Sequence, residues 1–120
     1  MGAKSPEEVD ELFQNHVRRG DIDAVLDLYE PDVAFCDSKG EVKRGREALR
    51  DELTRFTEAR ANFEFDIRRV VRADDLALVH NRWKVNAPRE MSGYAVEVMK
   101  RQPDGTWRFA IGDPFTVRRS

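Results

Sequence analysis

At Asn62 the periodicity of the chain changes, and this limits its possible folds more than any other feature. Before that point apolar residues recur three and four positions apart; beyond it they alternate with polar ones. "NFEFDIRRVV" sets Phe63, Phe65 and Ile67 against Glu64, Asp66 and Arg68, the two-residue period of a strand. Val70 and Val71 break the alternation, which predicts a bulge near Arg68–Arg69. "ADD" turns the chain into the long strand "LALVHNRWKV". "NAPREMSG" reads as a loop. "YAVEVMKR" and "WRFAIG" then make a hairpin across "QPDG", where Pro103 and Gly105 suit a type I turn.

The first half reads as helices. In "SPEE", Ser5 is a suitable N-cap, Pro6 fits the first helical position, and Glu8 completes a capping box. Val9, Leu12, Phe13, His16 and Val17 form one face of this helix, and Gly20 ends it. Asp21 caps a second helix with Ile22, Val25, Leu26 and Tyr29 inward, and Pro31 stops it. Val33–Asp37 is a short strand, Ser38–Gly40 a turn, and Val42 a second extended piece. A third helix runs from about Arg46 to Phe56. Helices followed by a run of antiparallel strands make an α+β pattern, a curved sheet with helices on one face.

The 120 residues suit a single domain, 1–120, with room for one core and one small cavity. A net charge of -2 argues against nucleic-acid binding, which needs a clustered basic surface. No apolar run reaches the length of a membrane span, and "MGAKSPEE" lacks the apolar stretch of a signal peptide. A cytoplasmic location is the default expectation. Cys36 is the only cysteine, so no intrachain disulfide forms, and it reads as a small buried hydrophobe. His16, His80 and Cys36 have no metal-ligand spacing, and no phosphate-binding or dinucleotide loop is present. The expectation is therefore no metal and no cofactor.

"RRGDIDAVLDLYEPDVAFCDSKGEVKRGREALRDEL" resembles the opening half of the SnoaL-like and ketosteroid-isomerase-like branch of the nuclear transport factor 2-like superfamily. The shared features are Gly-Asp after helix one, an amphipathic helix ending in an aromatic, and Asp-Val opening the first strand. An acid closes that strand, and Gly-Arg opens helix three. "ALVHNRW" and "VMKRQPDGTWRFAIGDPF" resemble the family's last strands. The resemblance implies a cystatin-like cone, a bent sheet wrapped around a long helix with an apolar pocket open at one end. It implies a homodimer through the outer face of the sheet, where Val96, Val98, Phe109 and Ile111 need cover. It also implies a small apolar ligand, handled by a cofactor-independent isomerase, cyclase or dehydratase, or by a non-catalytic binding or scaffold domain.

Asp37 matches the proton-abstracting Asp of ketosteroid isomerase. An apolar pocket would raise its affinity for a proton into the range of a general base. The same residue opens "DSKG", an ordinary turn. Glu97 matches the family acid that donates to the oxyanion. Yet a four-residue "QPDG" loop pairing Arg101 with Thr106 puts Tyr94, Val96 and Val98 on one face with Phe109 and Ile111. Glu97 then shares the less apolar face with Ala95, Met99, Ala110 and Gly112. Phe13 takes the place of the family's hydrogen-bonding Tyr and cannot donate. His16 is either a donor to the pocket or a hydrogen-bonded core residue. Asn81 and Trp83 fall on the inner face of their strand with Ala77, Val79 and Val85, toward a ligand or simply the core. Tyr29 reaches the pocket from helix two. Asp113 either lines the rim or opens a turn.

Overall fold

The structure of the chain, a computed structural model, describes residues 2–116. In chain order the elements are α1 (Pro6–Arg18), α2 (Ile22–Leu26), β1 (Tyr29–Cys36), β2 (Val42–Arg44), α3 (Arg46–Glu58), β3 (Phe63–Ala73), β4 (Leu76–Val85), β5 (Met91–Arg101) and β6 (Trp107–Asp113). The strands form one curved, open sheet in the order β2-β1-β6-β5-β4-β3. All neighbours run antiparallel except β1 and β6, which are parallel. The fold is α+β, with the helices on one side of the sheet.

The helix starts follow their sequence signals. The Ser5 hydroxyl accepts the Glu8 amide at 3.2 Å, and the Asp21 carboxylate accepts the Ala24 amide at 3.1 Å. The Gly-Arg pair before α3 serves the strand beside it. Gly45 has φ +92°, a conformation that other residues resist, and its amide bonds the Val33 carbonyl at 2.8 Å. Arg46 then reaches back, its Nε donating to the Tyr29 carbonyl at 3.0 Å.

α2 ends earlier than its apolar spacing predicts. It stops at Leu26, and Tyr29 is the first residue of β1. Pro31 is therefore an exposed strand residue, not a helix stop. The loop before β5 is also shorter than its composition predicts, since pairing already begins at Met91 opposite Val85.

The bulge expected in β3 lies between Ile67 and Arg69. A second, unexpected one lies between Val98 and Met99, where β6 moves from Ile111 to Phe109. The hairpin also pairs Arg101 with Trp107, not Thr106. Each extra residue flips the remainder of its strand to the other face of the sheet. Phe109 consequently leaves the outer face assigned to it and becomes core, 1% exposed beside Met99. Ile111 stays outside, 51% exposed.

α1 lies across the inner face of the sheet. Phe13 meets Phe63, Phe65 and Phe109 edge-on, at centroid distances of 5.1, 5.8 and 6.4 Å. Such contacts add about 0.5–1.5 kcal/mol each beyond burial of the rings. Val9, Val17, Val25, Val33, Leu49 and Val79 complete the same core. No helix among the described residues is long and apolar enough to cross a membrane.

Candidate functional site

Between α1, α3 and the inner face of the sheet lies a cavity of about 110 Å³. Its walls are Phe13, Phe35, Phe63, Phe65, Trp83 and Phe109, with other apolar side chains between them. Its mouth lies between α3, where Glu52 and Arg55 sit, and Met91 and Phe115. Polar groups converge at the inner end. Asp10 comes from α1, Tyr29 from β1 and Glu97 from β5, and all three line the cavity.

Asn81 of β4 stands behind this group. Its Nδ2 donates to Asp10 Oδ2 at 3.2 Å and to Glu97 Oε1 at 2.9 Å, which uses both of its amide hydrogens. The two carboxyls also hydrogen-bond each other. Such a contact requires a proton between them, because two carboxylates have only acceptors. Asp10 is 2% exposed, and its Oδ1 has no hydrogen-bond partner among the described residues; nor does Asn81 Oδ1. Glu97 is less covered by protein, because it opens on the cavity.

Burial raises the proton affinity of both acids. It pushes Asp10 up to about 7, while the hydrogen bonds from Glu97 and Asn81 pull the other way. Glu97 is pushed well above the usual carboxylate range by burial first, then by the charge of Asp10. At neutral pH the pair therefore retains a proton that two ordinary carboxyls would have lost. Burial, then the fields of Glu97 and Asp10, also hold the Tyr29 phenol well above its usual value, so it stays an O–H group.

The SnoaL-like domain model matches residues 9–118, nearly the whole chain. The chain belongs to the SnoaL-like family. Solved structures of the nuclear transport factor 2-like type share its fold. A protein of this type and of unknown function from Shewanella oneidensis is 18% identical, with 89% of this chain and 93% of that one aligned and a TM-score of 0.76. A candidate dehydratase of the family from Streptomyces avermitilis is 19% identical, covering 94% of each chain with a TM-score of 0.66. An LEH-like epoxide hydrolase from Mycobacterium tuberculosis is 20% identical, covering 90% of this chain and 79% of its own, with a TM-score of 0.62. No curated protein sequence matches significantly.

Within this SnoaL-like domain the structure gathers five of the residues singled out in the sequence. Phe13, Tyr29, Trp83 and Glu97 line the cavity, and Asn81 holds its carboxyls. The second bulge resolves the conflict over Glu97. Glu97 pairs with Gly112 on the inner face, with Ala95 and Met99 as its strand neighbours on that face.

Asp37, the acid expected to face the cavity, is not on its lining. Its Oδ1 accepts the amides of Lys39 and Glu41, both at 2.9 Å, and Lys43 Nζ lies 3.3 Å from Oδ2. The Glu41 amide above all, helped by the Lys39 amide and the Lys43 ammonium, holds Asp37 below the usual carboxylate range. That is opposite to the shift expected of a pocket base, and the turn reading describes the geometry. His16 also lies off the lining. It pairs with Arg19 on the surface of α1, and burial, then Arg19, lowers its proton affinity. Asp113 caps a turn, accepting the Phe115 amide at 3.4 Å.

Asp10 is the residue that sequence reasoning passes over. It follows Val9 and precedes Phe13 by three, so it falls on the apolar stripe of α1. A charged residue at a core position is the available signal. No cluster of three or more His, Cys, Asp or Glu suited to a metal occurs among the described residues.

Proposed function

We propose that this domain is a cofactor-independent proton-transfer enzyme of the isomerase or lyase type, acting on a small, largely apolar molecule. The observation that carries this reading is the carboxyl pair Asp10–Glu97, sharing a hydrogen bond inside an aromatic cavity. The general-base role expected of Asp37 passes to Asp10. Its Oδ1 lone pairs are unclaimed among the described residues, and its proton affinity near neutrality suits both taking and returning a proton.

The Tyr29 O–H on the cavity wall donates toward the oxygen on which negative charge develops, while the single proton of Glu97 stays in its contact with Asp10. In an isomerisation, Asp10 takes a proton from the carbon next to a carbonyl. The charge passes to the oxygen, and Asp10 returns the proton at another carbon. In an elimination the electron pair expels a leaving group instead.

The test is deuterium exchange into neutral ketones in heavy water, followed by NMR. The intact protein should catalyse exchange and Asp10→Asn should not. Equal exchange by both proteins would remove Asp10 as base. Ketone binding without exchange by either would leave a binding domain only.

For a partner, we propose a second copy of the chain on the outer face of the sheet. There Val71, Leu78, Val98, Ile111 and Ala34 pair side by side across five strands. Val71 and Ile111 are about half exposed. A continuous apolar row of this kind on an open sheet is the signature of a covered surface.

A further inference from the structure

The segment after β6 crosses back over the cavity. Pro114 and Phe115 both line it. The segment is tied to the sheet at two points and braced within itself at a third. Trp83 Nε1 donates to the Pro114 carbonyl at 2.7 Å, the Thr116 amide donates to the Tyr94 carbonyl at 3.0 Å, and the Phe115 amide meets Asp113. The Phe115 ring stands edge-on to Trp83 at 5.5 Å. Gly93 lies against the same junction. A Cβ there would meet Trp83 Cζ2 at 3.1 Å and the Pro114 oxygen at 3.2 Å, so a side chain at this position would press the strap and the indole apart by a few tenths of an ångström.

A wall held this way is a fixed boundary, and the hollow behind it is about 110 Å³. An apolar cavity of about 150 Å³ accepts one benzene ring. A single ring therefore fills this hollow with its edge in the mouth, and a second fused ring meets Phe115. Among the described residues the lining carries one basic residue, Arg55, whose guanidinium lies over Phe56 at 4.7 Å and 4.0 Å from Glu52. Among the described residues no cation joins Asp10 and Glu97 to compensate an anionic ligand.

We propose that the strap of residues 113–116 sets ligand size, with Phe115 as the specificity-determining side chain, and that the ligand is a neutral carbonyl compound of about one six-membered ring. The carbonyl rests on the proton-transfer reading; the size limit rests on the strap alone.

Calorimetric binding of cyclohexanone, 2-tetralone and cyclohexanecarboxylate tests this. The intact protein should bind cyclohexanone at least ten-fold tighter than either of the others. Phe115→Ala should bind 2-tetralone at least ten-fold tighter than the intact protein does, and Phe115→Trp should weaken cyclohexanone. Circular dichroism confirms that each variant is folded.

Equal binding of one- and two-ring ketones by the intact protein, or an unchanged preference in the folded Phe115 variants, would overturn the size limit. Tight carboxylate binding would overturn neutrality, and no binding of either ketone would overturn the ligand class. The carboxyl titration of Asp10, read separately by carbon-13 NMR, decides the acid pair. A normal midpoint with the size series as expected would overturn the proton-transfer reading and keep the strap.

Discussion

Asp10 on α1 and Glu97 on β5 meet carboxyl to carboxyl, far apart in sequence and joined in one hydrogen bond at the end of an aromatic cavity. If that pair moves protons, its members should matter most. Asp10→Asn should lower deuterium exchange about 10²–10⁴-fold, the usual contribution of a positioned base. Asp37→Asn should change it only a few-fold, since Asp37 binds turn amides. NMR exchange rates at matched protein concentration check both.

The same pair should make stability depend on pH. Asp10 and Glu97 hold protons more tightly folded than unfolded, so the folded state is favoured most where both are protonated. That stability is lost as pH rises from about 4, the ordinary carboxylate range, toward 7. Asp37 acts oppositely. Its lowered value stabilises the fold above the ordinary range and is lost on acidification. Urea midpoints should fall between pH 5 and pH 8, and the fall should shrink in Glu97→Gln, which removes one titrating group and keeps a donor.

Asn81 restrains both acids by giving each an N–H. Asn81→Ala should raise the titration midpoint of Asp10 further and broaden the pair's curve. Carbon-13 NMR of the Asp10 carboxyl measures this. A midpoint that drops would mean that the amide does not act on the pair.

The apolar row on the outer face predicts self-association. Sedimentation at micromolar concentration should give a dimer mass. Val98→Lys, with a charge in the middle of the row, should give a monomer that retains its helical and strand signals.

Much of this architecture is legible in local pattern. The caps at Ser5 and Asp21, the alternation of β3 and β4, and the inward face carrying Asn81 and Trp83 all follow from spacing. Three things are not. Tyr29 has helical spacing from Val25 yet joins β1, because pairing with Phe109 and the Arg46 bond to its carbonyl hold it extended. The second bulge shows no composition signal, so spacing alone puts Phe109 on the outer face with Ile111. Asp37 and Asp10 exchange apparent roles. An acid at the end of a strand stands out, while an acid hidden in a helix stripe looks like surface charge. Burial, which decides proton affinity, depends on what the rest of the chain brings alongside.

Gly112 lies opposite Glu97 on the sheet, and a Cβ added there would touch nothing nearer than Phe35 Cβ at 3.9 Å. The hollow is thus partly a missing side chain. One methyl at this point would be accommodated without moving the backbone, and each larger group would subtract space right next to the acid. Position 112 is in effect a volume dial beside the Glu97 carboxyl.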